Sequence, residues 1–339
     1  RTSVRRIRAD DGARIAAEDT ATSSFAWDHG CQFFRADTAE FRTCILPEWL
    51  KGKHAIEWKG RFEHVDGDAP TKPGQLPQDF FGLPSKTPVY HGVGGMHAIA
   101  SGVLRAAAAH RTDIDVQVKV GARVASIERI TSGIDAGAWQ LLGTTGEAAF
   151  HDSKEEVAAE AHNVPCSNLS FDALLITDAS ASFEGWHRAS AGLPPCASEI
   201  LARVRARVRV PLFTALVAFS SAVPVELDAI TFGDSTLWFA ARSASKTGLA
   251  NSTGGGVECW TLVSTAAYAV AEIERVPMQD PVSGAFRPQD PEYLEGESGP
   301  ARTLVRCFAA ALATRMGGAS KLPEVAYITA QRCGSAMPA

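Results

Sequence analysis

Phe171-Asp172-Ala173-Leu174-Leu175-Ile176 runs into Thr177-Asp178-Ala179, and this stretch decides the reading of the fold. After Asp172 it is uniformly apolar, the pattern of a strand buried on both faces of a parallel sheet. Its place between helical segments points to alternating β and α elements. Upstream, Gly92-Val93-Gly94-Gly95 leads into Met96–Ala109, where Met96, Ile99, Ala100, Val103, Leu104 and Ala107 recur with helical period. Strand-like runs follow at 116–120, 123–130 and 139–142, and a helix is expected from Ser180 to about Trp186. Downstream the pattern changes. Segments 211–219, 228–232, 236–241 and 258–264 are strand-like, with polar turns between them, and read as an antiparallel sheet. The expected fold is therefore α/β combined with α+β.

The remaining segments fill in this plan. Short strands are expected at 13–17, 55–58, 61–65 and 89–90, and a helix over 37–50 with Asp37 as its N-cap. A helix spans about 197–207, another 301–315, and a last strand 324–329. Residues 66–88, 151–170 and 277–299 are polar or rich in Gly and Pro, and read as loops.

The chain has 339 residues, of which 45% are hydrophobic and 21% charged, enough for a core without staples. Thirty-three Lys and Arg stand against thirty-eight Asp and Glu, giving a net charge of −5. No basic excess is present to neutralise a phosphate backbone, which argues against a nucleic-acid partner. Seven scattered cysteines form no Cys-x-x-Cys pair, so neither a zinc site nor a disulfide framework is expected, and buried thiols are. The uncharged stretch 210–225 is broken by Pro211 and Pro224, and reads as a buried strand rather than a membrane span.

Four places could carry chemistry, each with two readings. In Trp27-Asp28-His29-Gly30-Cys31-Gln32-Phe33-Phe34, Gly30 permits close backbone approach and Gln32 could bond a ring edge; the same loop could be a satisfied turn. Gly94, Gly95 and Met96 at a helix start suit an anion or polar ring, or are an ordinary turn. Thr177, Asp178 and Ala179 follow a strand where α/β sheets present ligands, or Asp178 caps a helix. Trp238, Arg242, Lys246 and Trp260 either pack a sheet core or line a pocket, with Arg242 and Lys246 offering cations to an anionic substrate or a reduced ring. No His-Glu-x-x-His, Gly-x-Ser-x-Gly or P-loop is present.

In order along the chain, the opening arginines (Arg1, Arg5, Arg6), WDHGCQFF (27–34), VYHGVGGMHAIA (89–100), FDALLITDA (171–179), LWFAARSASK (237–246), VECWTLVSTAAYA (257–269) and AQRCGSAMP (330–338) resemble the FAD-dependent oxidoreductases of the renalase-like, amine-oxidase-type group, plant and algal members above all. The resemblance implies a glutathione-reductase-like FAD-binding domain (1–36 plus 96–195), an antiparallel-sheet substrate domain (37–95 plus 196–330) interleaved with it, and a return toward the FAD domain at 331–339. It implies FAD as cofactor, a Rossmann-like, NAD(P)-binding type of fold, and a small-molecule substrate oxidised by hydride transfer. It places Arg1 near the FAD phosphates, Gly30, Cys31 and Gln32 along the isoalloxazine, and Gly94, Gly95 and Met96 where the chain returns to the flavin. Arg123 and Val124 would lie near the adenine, and Thr177, Asp178 and Ala179 beside the dinucleotide. Trp238, Arg242 and Trp260 are candidates for the substrate pocket; no catalytic residue and no metal is assigned. The resemblance also implies a G-x-G-x-x-G unit before Arg1 and a Gly-Asp block after Ala339, so the stretch given is expected to hold FAD weakly by itself. A monomer in the plastid or cytoplasm is expected. The alternative is a cofactor-free, non-catalytic binding or scaffold protein derived from the same fold.

Overall fold

A computed structural model describes residues 4–15, 22–65, 88–110, 113, 115–119, 122–145, 170–177, 198–205, 209–249, 256–278, 287, 289–316, 318 and 321–338. The chain divides into two compact units. The first comprises Arg1–Val116, Pro211–Ala271 and Gln289–Ala336, and the second Gln117–Val210, Glu272–Pro288 and Met337–Ala339.

The first unit is built on a six-stranded mixed sheet. Its strands are β5 (Phe62–Val65), β9 (Arg209–Phe219), β10 (Ala229–Phe232), β11 (Leu237–Arg242), β12 (Glu258–Ser264) and β13 (Val325–Pro338), in the order β13-β9-β12-β11-β10-β5. Strands β9, β12, β11 and β10 pair antiparallel, and β5 joins β10 in parallel. Strand β9 reads as a continuous apolar run because both of its faces are covered. Leu216 and Ala218 pack with Ile7, Phe25, Trp27 and Cys259 on one side. On the other, Phe219 lies 6.4 Å from Phe308 of helix α6 (Pro300–Arg315). That helix starts with Pro300 in its first turn, where the missing N–H has no helical partner to lose. It buries Leu304, Phe308, Ala311 and Leu312, an i, i+4, i+7, i+8 stripe toward the sheet.

The opposite face is covered by a small antiparallel sheet of β1 (Val4–Arg8), β2 (Arg14–Ile15) and β3 (Ser24–Asp28), in the order β2-β1-β3. The Trp27 indole N–H donates to the Val217 carbonyl at 3.1 Å and fastens the two sheets together. A short ladder of β4 (Ala55–Glu57) and β6 (Tyr90–Gly92) leads into α2 (His97–His110). In the second unit, β7 (Ala122–Arg129) and β8 (Trp139–Thr145) form a hairpin, and α3 spans Ser198–Arg205. Helices α4 (Ala266–Arg275) and α5 (Pro291–Glu295) complete the described helices. A mixed sheet with packed helices agrees with the expected mixture of α/β and α+β elements. Strands near 211–219, 228–232, 236–241 and 258–264 form the ladder expected of them.

Several expectations change. Phe171–Ile176 is not a parallel-sheet strand: Phe171 makes one antiparallel bridge to Trp139, and residues 172–177 carry no ladder. Leu175 is 91% exposed. Apolar character makes a strand only where neighbours receive its N–H and C=O groups, and the parallel pairing in the described residues falls instead on β5 and β10. Residues 116–119 form no strand either. The helix expected at 37–50 runs as a π-turn at Phe41–Ile45 followed by α1 (Leu46–Lys51). Asp37 does not cap it: Asp37 pairs with Arg35, and the Phe41 N–H goes to the Thr38 hydroxyl. Part of the expected loop 277–299 is the helix α5, where Asp290 is an effective N-cap, accepting from Glu292 N–H at 3.0 Å. Strand β13 runs well beyond Thr329. Of the described cysteines only Cys259 is buried; Cys31, Cys307 and Cys333 are half-buried and Cys44 is exposed, with no disulfide among them. The loop at 66–87, most of the 151–170 loop and the helix expected up to Trp186 lie outside the described residues.

Candidate functional site

Asp28, the last residue of β3, is fully buried, and three distant parts of the chain converge on it. Its Oδ1 accepts from the Met96 N–H at 2.8 Å, across 68 residues of sequence. Its Oδ2 accepts from Lys246 Nζ at 3.0 Å, across 218 residues, with both side chains almost wholly sealed from solvent. The Asp28 carbonyl accepts from Gln32 Nε2 at 2.7 Å and from the Thr261 hydroxyl of β12 at 3.0 Å. Lys246 also donates to Gln32 Oε1 at 2.9 Å and lies 4.9 Å from the centre of the buried Trp58 ring. An ammonium has three donors, and here two meet oxygens while the charge rests against an aromatic face. Gln32 Nε2 reaches the Gly30 carbonyl as well, at 3.1 Å.

Local sequence explains how each arm arrives. Gly92 to Met96 turns at positive φ, with Gly94 at +84° and Gly95 at +107°. That turn starts α2 with an orphan N–H at Met96, which a carboxylate satisfies while also matching the positive end of the helix dipole. Ser243–Ser245 is a single 3-10 turn after β11, and it delivers Lys246 inward. The two loops are also joined directly, Gly94 N–H to the Thr247 carbonyl at 2.9 Å.

His91 belongs to the same junction and is 1% exposed. Its Nδ1 faces the Gly92 carbonyl at 2.8 Å, and a carbonyl only accepts, so Nδ1 carries the proton. Nε2 then receives the Thr247 N–H at 3.4 Å. Burial holds the His91 pKa below its ordinary value of 6.5, and so keeps the ring neutral. The unfolded chain therefore binds a proton here more readily than the folded one. Stability from this group is present above pH 6.5 and falls as the pH drops below it, by up to about 1.4 kcal/mol per unit. Urea unfolding midpoints measured from pH 8 to pH 5 should drop less steeply for His91→Gln than for the unaltered chain; parallel curves would reject this assignment.

The sequence-assigned residues sort into groups. Gly30, Cys31, Gln32, Gly94, Gly95 and Met96 come together around Asp28 in the first unit. Their polar atoms, however, face inward. Both Gln32 amide N–H groups go to the Asp28 and Gly30 carbonyls and its oxygen accepts from Lys246, so Gln32 has no N–H left to donate to a ring. The N–H groups of Gly94, Gly95 and Met96 go to Thr247, Gly92 and Asp28, so the anion expected at this helix start is the chain's own carboxylate. Lys246, offered as a cation for substrate or ring, is neutralised in place. What the turn leaves open is backbone: among the described residues nothing lies within 4 Å of where a Gly94 Cβ would stand, and Gly30 and Cys31 are half-buried. The Cys31 thiol donates to the Phe33 carbonyl at 3.0 Å, and burial pushes its pKa up. The residues present thus fit a flat group by backbone approach at Gly94, and not by side-chain N–H donors.

The other assigned residues lie elsewhere. Arg1, Asp178 and Ala179 are outside the described residues. Arg123 and Val124 belong to the second unit, on β7 opposite Thr144 and Gly143, and Thr177 is an exposed residue of the same unit. Trp238 is half-buried on β11 beside a register shift. Arg242 does not offer an unmatched cation. Its guanidinium bonds the Asp228 carboxylate and, at 3.1 Å, Glu258 Oε1. Burial opposes that charge, and the two carboxylates outweigh burial and raise its pKa. Trp260 is fully buried 5.2 Å from Phe308, in the core under α6. Sequence reading missed the Asp28–Lys246 pair, His91 and Thr261 as parts of one site. Their separations carry no local period, and the available signal was an Asp and a Lys each set beside a tight turn.

Among the described residues no group of His, Cys, Asp and Glu is arranged to hold a metal ion, and no helix is long and apolar enough to cross a membrane. Neither a protein-family profile nor a curated protein matches this chain. Among solved structures it is similar to a "Putative protoporphyrinogen oxidase" from Exiguobacterium sp. 255-15, with 10% identity and a TM-score of 0.38, covering 76% of this chain and 43% of that one. It is also similar to a reduced UDP-galactopyranose mutase, with 9% identity and a TM-score of 0.38, covering 73% of this chain and 40% of that one. The chain therefore spans less than half the length of these two proteins. Likenesses of this size establish neither a shared fold nor an activity.

Proposed function

We propose that this chain belongs to a flavin-dependent oxidoreductase that uses FAD to oxidise a small molecule, of the renalase-like, amine-oxidase type. The observation that supports it most is the meeting, at one buried junction, of Gly30–Gln32, assigned to the isoalloxazine side by resemblance, and Gly94–Met96, assigned to where the substrate domain returns to the flavin. Bound FAD would supply the redox chemistry by accepting a hydride equivalent from the substrate. The chain's own contribution is positional. Asp28 pins the start of α2, Gly94 leaves its backbone open to a flat group, and Gln32 holds the Gly30 carbonyl. Arg242 has its charge matched within the chain by Asp228 and Glu258. The glutathione-reductase-like arrangement, the division into FAD-binding and substrate domains, a monomeric state, and a plastid or cytoplasmic location belong to the same proposal.

One observation favours the cofactor-free alternative: the polar groups of the junction bond one another and leave few for a ligand. Titration with FAD separates the two readings. The chain is expected to shift the visible flavin bands in a saturable way. Bands that stay unshifted throughout the titration would favour the cofactor-free protein.

A further inference from the structure

We propose that Lys246, Asp28 and Gln32 form a positioning lock that fixes the Gly30–Cys31 backbone against the Gly92–Met96 turn. The inference rests on the flavin reading only for what that backbone faces; the lock itself is a property of the chain. Its logic runs through the Gln32 amide. Lys246 Nζ can only donate, so the Gln32 oxygen must face it, at 2.9 Å. The amide nitrogen is thereby turned to the Asp28 and Gly30 carbonyls, at 2.7 and 3.1 Å. The buried ammonium therefore dictates which way the Gly30 carbonyl points, acting through a side chain it touches. Asp28 keeps that ammonium in place and ties the same lock to Met96 at the start of α2. An apolar pair of similar volume could fill this space with comparable stability, because a buried ion pair is a poor source of net stabilisation. It could not orient Gln32. Lys246, Asp28 and Gln32 are thus positioning residues, and none of them needs to touch a ligand.

Cys31 reports on the lock. It follows Gly30, is half-buried, and its thiol donates to the Phe33 carbonyl at 3.0 Å, whereas Cys44 is exposed. Iodoacetamide labelling, read at each cysteine by peptide mass spectrometry, gives a Cys31 rate relative to Cys44 within one molecule. Asp28→Asn with Lys246→Met removes both charges and keeps an acceptor for the Met96 N–H; Gln32→Met cuts the lock and leaves the ion pair. Each variant is expected to raise the Cys31-to-Cys44 rate ratio at least tenfold, with amide-exchange protection at Ile99 and Leu262 unchanged. A ratio within twofold of the unaltered chain in Gln32→Met would overturn the lock, and that variant decides alone if the double variant fails to fold. A rise matched by equal loss of protection at Ile99 and Leu262 would overturn it too, as general loosening. The FAD titration of the unaltered chain is a separate measurement: unshifted flavin bands there defeat the flavin reading and leave the lock standing.

Discussion

Replacing Lys246 with Met should lower folding stability by about 3–5 kcal/mol, the loss expected when one partner of a buried ion pair is removed. Met keeps most of the length of the Lys stem, so little cavity opens and the change is chiefly electrostatic. The Asp28 carboxylate stays behind, fully buried, with the Met96 N–H as its remaining donor among the described residues. Gln32 Oε1 and the face of Trp58 lose their cation together. Urea unfolding should show a midpoint shifted strongly downward with an unchanged slope, which separates lost stability from a changed unfolded state. Adding Asp28→Asn to Lys246→Met should recover most of the loss, because the uncompensated charge is then gone. A Lys246→Met protein within 1 kcal/mol of the unaltered chain would mean that water reaches Asp28, and the buried description of this junction would be wrong.

Why the sequence showed some of this and hid the rest follows from how each feature is encoded. Helix α6 was legible because its apolar stripe repeats within the helix, and the β9 to β12 ladder because each strand is a short apolar run bounded by turns. Phe171–Ile176 has the same local signature as β9, but among the described residues its pairing is a single bridge from Phe171 to Trp139, and a strand is a property of its partners as much as of its residues. The site was half legible for a similar reason. Gly30, Gly94 and Gly95 announce tight turns, and those turns do meet around Asp28. The direction of their polar atoms was not legible, because it depends on Lys246, more than two hundred residues from Asp28. Arg242 and Trp260 show the same limit. One is matched by carboxylates from other parts of the chain, the other is covered by a helix, and neither fact leaves a mark beside the residue itself.

Substituting Gly95 by Ala should cost about 2–5 kcal/mol, and comparison with Gly94→Ala shows what the glycines at this turn are for. Both residues have positive φ, so both substitutions carry the strain of a side chain in a left-handed backbone, roughly 1–2 kcal/mol. Only Gly95 adds a collision. A Cβ there would stand 2.2 Å from Val4 Cγ2 and 3.0 Å from Asp28 Oδ1, against a β1 strand held in register with β3. Overpacking of this kind costs a further 1–3 kcal/mol or so, and it pushes on the carboxylate at the centre of the junction. At Gly94 the same Cβ meets nothing within 4 Å among the described residues. Paired urea titrations should therefore place Gly95→Ala well below Gly94→Ala in midpoint, and equal midpoints would mean that Val4 yields freely. Function should divide the other way. If a flat cofactor approaches the open side of the turn, the added methyl of Gly94→Ala stands in its path, and FAD titration should weaken several-fold with the fold nearly intact. Unchanged FAD binding in Gly94→Ala would remove this turn from the flavin wall and leave Gly95 as a glycine required by packing alone.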